Sequence, residues 1–247
     1  ADPQGQKSCQ GIYAAETQGA SLRLVRKRAA SEPEARMTRT ILSLCDFTGS
    51  WARPYAEAGY RVVLVDIKPP ERPEWLPVEH WLTGRDVHRL QMDLHDFDPI
   101  RDVHHVHGVM IAPPCENFSG SGAQYWPAKD ADGRTDASVS LVYKARAIVK
   151  QLEPKWWCLE NTVGRLKRFI GDPVMRFDPC DYGDAYTKRT CLWGEFNMEL
   201  ELDPVVPERT TKQGSWVQKL GGKSDKTKTL RSVTPQGFAR AFRTANP

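Results

Sequence analysis

The sequence predicts an α/β protein with a Rossmann-like, mostly parallel sheet. From residue 39 onward, short apolar strands alternate with helix-like segments, as in sheets whose parallel strands are joined by crossover helices. Polar residues follow several strands directly, and such sheets bind ligands at the carboxyl ends of their strands. The chain has 247 residues, 40% of them apolar and 27% charged, which is enough for one large domain.

The first half of the pattern contains four predicted strands. Residues 40–46 form the first, and the helix "WARPYAEAGY" follows it and ends at Gly59. The run "RVVLVDI" predicts a second strand that ends in Asp66, and "VHRLQMDL" predicts a weaker third one. The fourth, "VHGVMIA", leads directly into Pro113-Pro114 and Cys115.

The second half predicts one long helix and further strands. Residues 136–153 carry apolar residues on one helical face, namely Leu141, Ala145, Ile148 and Leu152. A fifth strand, "KWWCLE", ends in Glu160-Asn161, and a strand pair is expected around residues 175–196. The polar residues at predicted strand ends are Asp46, Asp66, Asp93, Cys115 and Glu160. We expect them to converge on one edge of the sheet.

Composition predicts where the protein acts and which segment lies outside the core. Residues 1–36 are small, polar and basic, which predicts a flexible extension, with Met37 as the candidate natural start. No apolar run reaches the ~20 residues of a membrane helix, and no signal peptide pattern is present. Six scattered cysteines without C-x-x-C predict reduced thiols. We therefore expect a cytoplasmic protein without a membrane partner, and the net charge of +4 weakly favours a polyanionic one.

Two features of the first two strands suggest a nucleoside-containing cofactor. The turn "CDFTGSW" contains Gly49, which lets the backbone approach a ligand closely. Asp66 follows "VVLV", where an acid can hydrogen-bond both ribose hydroxyls. The turn lacks a complete G-x-G-x-x-G, which argues against NAD or FAD.

Cys115 could be a buried thiol, a metal ligand, half of a disulfide or a nucleophile. The segment "CLENTVGRL" at 158–166 favours the nucleophile, because it places an acid at the end of another strand. A thiolate can attack carbon 6 of a pyrimidine while the acid protonates ring nitrogen 3. Carbon 5 then accepts an electrophilic methyl group.

Residues 39–247 resemble the DNA cytosine-5 methyltransferase family in a compact form like those of phages and bacteria, as in restriction-modification systems. Five motifs in order carry the resemblance: "LSLCDFTGSW…AGYRVVLVDI", "APPCENFS", "LENTVG", "YGDAYTKRTCLW" and "RSVTPQGFARAFRTANP". The resemblance implies a class I S-adenosylmethionine-dependent methyltransferase fold, with catalytic residues 37–194, a reduced DNA-recognition segment at 195–230 and a C-terminal motif at 231–247 that packs back on the catalytic domain. It implies duplex DNA with a flipped cytosine as the partner. We expect a monomer.

The resemblance also implies roles for individual residues. Cys115 would be the nucleophile, Glu160 the acid at the base, Asn161 the brace of the nucleophile loop, and Arg189 or Lys188 the cation near the base or its phosphate. Asp66 would bind the ribose, Asp93 the adenine amino group and Ser232 the methionine carboxylate, while Trp51 would cover the methionine part. The remaining residues implied at the S-adenosylmethionine site are Asp46, Phe47, Gly49, Ser50, Ile67, Leu94 and Pro113.

This sequence departs from the family pattern in several places. Phe47 and Trp51 stand where the family has more glycine, and Glu116 replaces the usual glutamine. The basic motif contains Lys188-Arg189 where the family commonly has Gln-x-Arg-x-Arg. These departures keep two alternatives open, a C5-pyrimidine methyltransferase for RNA or free nucleotide, and a catalytically weak protein that binds cofactor or DNA.

The recognition segment is short and basic. Between 208 and 231 it carries Arg209, Lys212, Lys219, Lys223, Lys226, Lys228 and Arg231 against Glu208 and Asp225. Such residues suit phosphate contacts, and Trp216 is a candidate for stacking on a base. A metal site is not expected, because the histidines of "HHVH" at 104–107 would alternate between the two faces of a strand.

Overall fold

The computed structural model describes residues 39–208, 210–211, 214–215, 220 and 224–247. Seven strands form the main sheet: β1 (Thr40–Leu44), β2 (Arg61–Asp66), β3 (Val87–Gln91), β4 (Val106–Ile111), β5 (Trp156–Thr162), β6 (Met175–Phe177) and β7 (Thr190–Glu195). Their order is β3-β2-β1-β4-β5-β7-β6, with β1 to β5 parallel and β7 antiparallel to both of its neighbours. The predicted α/β fold with a Rossmann-like, mostly parallel sheet is confirmed.

Seven α-helices are described: α1 (Arg53–Glu57), α2 (Pro99–Asp102), α3 (Trp126–Ala131), α4 (Arg134–Leu152), α5 (Lys167–Ile170), α6 (Asp225–Ser232) and α7 (Gln236–Ala245). Two-residue strands, β8 (Thr210–Thr211) and β9 (Gly214–Ser215), pair with each other. Within the described residues, no helix combines the length and apolar character that crossing a membrane requires. Residues 1–36, predicted as an extension, lie outside the described ranges.

The sheet separates two apolar clusters, because successive side chains of a strand point to opposite faces. On β1, Leu42 and Leu44 join the cluster that also contains Ile148 of α4. Ile41 points into the other cluster, which contains Phe238 of α7. The buried residues of α4 include Ala145 and Ile148, two members of the predicted face.

Helix α7 completes the second cluster with aromatic side chains. Phe238 is fully buried and stacks on Phe177 of β6, with ring centroids 3.9 Å apart and planes 12° apart. Phe242 lies 5.5 Å from Trp51, edge to face. The Tyr55 hydroxyl donates a 2.7 Å hydrogen bond to the Asn246 carbonyl. The C-terminal helix thus forms part of the core beneath the turn that contains Gly49.

Truncating Phe238 tests the weight of this packing. Phe238→Ala should lower the free energy of unfolding by about 3–5 kcal/mol, because a large buried ring is lost and a cavity remains. Chemical denaturation followed by fluorescence would measure the loss. Ile100→Ala, at a side chain that is 66% exposed, is the matched control and should change stability by less than about 0.5 kcal/mol. Equal effects of the two substitutions would contradict the packing role of α7.

Candidate active site

Cys115 and Glu160 lie at the carboxyl ends of two neighbouring strands. Strands β4 and β5 pair in parallel up to Ile111 and Leu159, so the residues that follow emerge at the same edge of the sheet. Cys115 is exposed in the loop after β4. The Glu160 side chain is mostly buried, with 18% of its surface exposed. The predicted convergence of these two residues is therefore present.

Asn161 connects the two strand ends. Its side-chain nitrogen donates a 3.0 Å hydrogen bond to the carbonyl of Pro113, and the residue is 1% exposed. Pro113 and Pro114 have no N–H groups to continue the β ladder, so the chain leaves the sheet here. The Asn161 side chain donates to the carbonyl at the point where the chain leaves the sheet. This hydrogen bond fixes the start of the loop that carries Cys115.

Arg165 holds the far side of the same loop, a role that the sequence analysis did not assign. Its Nε donates a 2.9 Å hydrogen bond to the Asn117 carbonyl, and its Nη1 lies 2.7 Å from Asp130. Nη2 donates to Thr135 Oγ1, and the guanidinium lies 4.9 Å from the Trp126 ring. The side chain is only 4% exposed, so these contacts compensate the burial of its charge. The sequence signal that could have identified this role is the position of Arg165 in "LENTVGRL", the segment that also contains Glu160.

Gly164 allows the nucleophile loop to approach the end of β5 closely. The Gly120 N–H donates to the Val163 carbonyl at 3.0 Å, and the Arg165 N–H donates to the Phe118 carbonyl at 2.9 Å. A Cβ atom at Gly164 would lie 1.9 Å from that Phe118 oxygen. A residue without a side chain is therefore needed where the two backbones meet.

Lys188, rather than Arg189, is the basic residue beside Glu160. Lys188 Nζ lies 4.0 Å from Glu160 Oε1, and its side chain is only 8% exposed. Of the two residues predicted near the base or its phosphate, Arg189 pairs with Asp178 at 3.2 Å on an exposed side chain and does not contact Glu160. Neighbouring residues of an extended segment point in opposite directions, so only one of the two can face the site.

The charge of Lys188 opposes the effect of burial on the pKa of Cys115 and of Glu160. The protein around the Cys115 thiol desolvates it and raises its pKa, although the residue reaches the surface. The positive charge of Lys188 lowers that pKa, and the charges of Glu160 and Glu116 raise it. Burial likewise raises the pKa of Glu160, and Lys188 lowers it. Lys188 therefore favours the charged form of both the thiol and the carboxyl group.

Hydrogen bonds to the Asp46 side chain hold the turn that contains Gly49. Ser43 Oγ donates to Asp46 at 2.9 Å, and the Gly49 N–H donates to it at 2.8 Å. Gly49 has φ +71°, and a Cβ there would lie 2.8 Å from Leu82 Cβ. Burial raises the pKa of Asp46. The side chain of Asp46 thus holds the turn in place instead of facing a ligand.

The C-terminal segment also holds this turn. Ser50 is 1% exposed, and its carbonyl accepts a 3.0 Å hydrogen bond from Gln236 Nε2. The Ser50 hydroxyl accepts a hydrogen bond from Thr48 at 2.9 Å. Like Asp46, Ser50 supports the turn through buried contacts.

Asp66 lies in a pocket between β2 and β3, lined by Phe47, Leu64, Asp66, Lys68, Pro69, Pro70, Arg89, Leu90 and Gln91. The Lys68 N–H donates to Asp66 Oδ1 at 2.9 Å, and burial raises the pKa of Asp66. Arg89 donates to the Phe47 carbonyl at 2.6 Å. The pocket holds about 10 Å³ of water-accessible space, which is room for one water molecule.

Trp51 does not reach this pocket. Its side chain is fully buried and contacts Phe238 and Phe242 in the core. The prediction that Trp51 covers a bound cofactor is therefore wrong for this structure. Consecutive residues of this turn, Ser50, Trp51 and Ala52, are all buried, and the sequence alone did not show that Trp51 points into the core.

Four further predicted cofactor residues lie in different environments. Asp93 is exposed and accepts hydrogen bonds of 2.9 Å from His95, which lower its pKa. Leu94 is 4% exposed and packs in the core, so its side chain does not line the pocket. Ile67 is 66% exposed. Ser232 is exposed at the end of α6, and its hydroxyl donates to the Thr229 carbonyl at 2.8 Å.

Part of the basic recognition segment falls outside the described residues. This applies to Trp216 and to the basic residues Arg209, Lys212, Lys219 and Lys223. The described basic residues, Lys226, Lys228 and Arg231, lie on α6.

The comparisons with known proteins extend only to folds. No protein-family model and no curated protein matches the chain. A structure described as a DNA modification methyltransferase encoded within an E. coli prophage is 17% identical with a TM-score of 0.46, covering 76% of this chain and 56% of the other. A structure described as an S-adenosylmethionine-dependent methyltransferase from Listeria monocytogenes is 16% identical with a TM-score of 0.28, covering 50% and 47%.

A third similar structure has another activity. The UDP-N-acetylglucosamine 4-epimerase from Methanobrevibacter ruminantium M1 is 13% identical with a TM-score of 0.34, covering 85% of this chain and 52% of the other. The chain spans about half the length of these three structures. At such low TM-scores, the fold assignment rests on the strand order of this chain itself.

Replacing Lys188 tests the electrostatic coupling of the site. Because its charge lowers the pKa of Cys115, Lys188→Met should raise that pKa and shift the pH dependence of Cys115 alkylation upward. Alkylation requires the thiolate, so at a fixed pH below the midpoint the rate should fall about three- to tenfold. Iodoacetamide labelling at several pH values, with mass spectrometry to separate Cys115 from the other cysteines, measures it.

Lys188→Arg is the matched control for this experiment. It preserves the positive charge and should keep the pH profile near that of the unmodified protein. A profile that moves equally in both variants would assign Lys188 a packing role and contradict the coupling.

Proposed function

We propose that this protein transfers a methyl group from S-adenosylmethionine to carbon 5 of cytosine in DNA through a covalent Cys115 adduct. The observation that carries the proposal is the convergence of Cys115 and Glu160 on neighbouring strand ends, with Lys188 buried beside Glu160. A nucleophile, an acid and a cation at one edge are the groups that this pyrimidine chemistry requires.

The residues of the predicted cofactor site have the chemical groups that binding of S-adenosylmethionine requires. Gly49 presents backbone in a tight turn, and Asp66 ends β2 as a partly buried carboxylate that can accept hydrogen bonds from ribose hydroxyls. Lys68 Nζ lies over the Phe47 ring at 4.7 Å, and both residues line the Asp66 pocket. The cofactor supplies an electrophilic methyl group when bound.

The chain's own residues carry the remaining chemistry. Cys115 gives its thiol proton to solvent water and its sulfur bonds to carbon 6, while Glu160 donates a proton to ring nitrogen 3 and prevents negative charge from building up on the ring. After carbon 5 has gained the methyl group, it gives its proton to water and the carbon 5–carbon 6 double bond re-forms. The sulfur leaves carbon 6 as a thiolate, and ring nitrogen 3 returns its proton to Glu160. In a duplex, the cytosine must leave the base stack before Cys115 can reach it.

Burial makes Glu160 suited to this role. A raised pKa increases the fraction of the carboxyl group that carries a proton near neutral pH, and a proton donor must be protonated before the reaction. Lys188 limits this effect, since its charge stabilises the carboxylate. The positive charge also stabilises the carboxylate that remains once the proton has been transferred.

The substrate is tested with labelled S-adenosylmethionine and separate samples of DNA, RNA and dCMP. We expect label in DNA. Label confined to RNA or dCMP would replace the DNA proposal with one of the two alternative substrates. No label in any sample would favour a binding protein without turnover.

The covalent step is tested with DNA that contains 5-fluorocytosine. The fluorine cannot leave as a proton does, so a denaturation-resistant adduct should accumulate and be visible as a gel shift. Cys115→Ser should abolish the adduct while leaving cofactor binding nearly unchanged. Cys180→Ser, at another free cysteine, is the matched control and should retain the adduct. An adduct that survives in Cys115→Ser would exclude Cys115 as the nucleophile.

The cofactor assignment is tested with Asp66→Ala. A hydrogen bond that involves a charged group contributes about 1.5–3 kcal/mol, so S-adenosylmethionine affinity should fall about tenfold to over a hundredfold in calorimetry. DNA affinity, measured in parallel, should change little. Gln91→Ala, at the exposed rim of the same pocket, should have the smaller effect on cofactor binding. Unchanged cofactor affinity in Asp66→Ala would contradict the ribose contact.

A further inference from the structure

The side chain of Glu116, directly after the nucleophile, is in contact with helix α6. Its Oε2 lies 3.0 Å from Lys228 Nζ, and the two side chains are 55% and 47% exposed. An ion pair this exposed contributes little to stability and exchanges readily with solvent ions. The contact nevertheless places the amine of a distant segment at the rim of the Cys115 site.

Two more cations surround Glu116. Lys129 Nζ donates a hydrogen bond to the Glu116 backbone carbonyl, and Lys129 is 9% exposed. The charge of Glu116 acts on Lys129 and on Arg134 as well. Arg134 is itself paired with Asp132, at 2.5 Å, so Lys228 and Lys129 are the cations that favour an anion at this position.

Helix α6 is held between two loops of the sheet edge. Lys228 contacts the loop after β4, and the neighbouring Thr229 accepts a 3.4 Å hydrogen bond from Lys68 in the loop after β2. Thr229 is 2% exposed. The backbone of α6 is therefore anchored at Thr229, while the Lys228 amine lies at the surface and can change partners.

We propose that the Glu116 carboxylate occupies a phosphodiester site, and that a backbone phosphate of the nucleic acid displaces it and binds Lys228. This inference rests on the proposed function only in taking nucleic acid as the partner. A phosphate oxygen can accept from the same amine, and a nucleic acid gains additional free energy by releasing its counterions. The released Glu116 then points to solvent, and binding of the strand separates Lys228 from the nucleophile loop.

The test is a double-mutant cycle on oligonucleotide binding without any methyl donor. A fluorescent duplex oligonucleotide and its single strand would be titrated at low salt with the unmodified protein, Glu116→Gln, Lys228→Met and the double variant. Glu116→Gln should bind about two- to fivefold more tightly, the range of an exposed ion pair that no longer competes. In the Lys228→Met background, the same substitution should give at most a small part of that gain.

Two control variants separate this exchange from a general charge effect. Glu199→Gln changes the net charge equally at another exposed acid and should leave affinity nearly unchanged. Lys226→Met removes a cation from the same helix, and the gain from Glu116→Gln should persist in its background. Near-native thermal melting of each variant would confirm that it is folded.

The outcomes distinguish this inference from the proposed function. An equal gain from Glu116→Gln with and without Lys228 would overturn the exchange and leave the methyltransferase proposal intact. Absence of binding by every form, including the unmodified protein, would overturn both the phosphate site and nucleic acid as the substrate. If Glu116→Gln tightens oligonucleotide binding in the unmodified protein and in Lys226→Met but not in Lys228→Met, the phosphate site is supported, whatever the labelled-cofactor experiment shows.

Discussion

The hydrogen bond from Asn161 to the Pro113 carbonyl is the contact on which the geometry of this site depends. Two prolines follow β4, and because they have no N–H groups they cannot continue its hydrogen-bond ladder. Without the hydrogen bond from Asn161 of the neighbouring strand, the start of the loop carrying Cys115 would not be fixed. Arg165, four residues after Asn161, ties the other part of the loop through the Asn117 carbonyl. One short segment, from the last residues of β5 to Arg165, thus holds both ends of the loop that carries Cys115 and supplies Glu160.

The electrostatics of the site follow from this close packing. Protein that crowds the loop raises the pKa of Cys115 and of Glu160, so both groups hold their protons more strongly than in water. Lys188 is the buried countercharge that moderates both effects. A thiol protonated at neutral pH is a weak nucleophile. The charge of Lys188 lowers the pKa of Cys115 and so favours its thiolate.

The sequence was sufficient to predict the sheet and the edge where Cys115 and Glu160 meet, because strand ends are marked by a change from apolar to polar residues. It was not sufficient for the direction of individual side chains. Lys188 and Arg189 are adjacent, and the pairing of Thr190 with Thr162 settles which of them faces Glu160. Trp51 occupies a turn that resembles a ligand-binding one, yet its indole fills the core. These outcomes depend on strand register and packing, which local patterns do not contain.

Local sequence patterns cannot predict the contact between Glu116 and Lys228, because the two residues are far apart in the sequence. The charge of Glu116 raises the pKa of the neighbouring Cys115. Its carboxylate pairs with Lys228, and its backbone carbonyl accepts a hydrogen bond from Lys129. The same helix contacts Lys68 beside the Asp66 pocket through Thr229. Two neighbouring residues of α6, Lys228 and Thr229, thus contact the loops after β4 and β2, so one helix borders both the Cys115 loop and the Asp66 pocket.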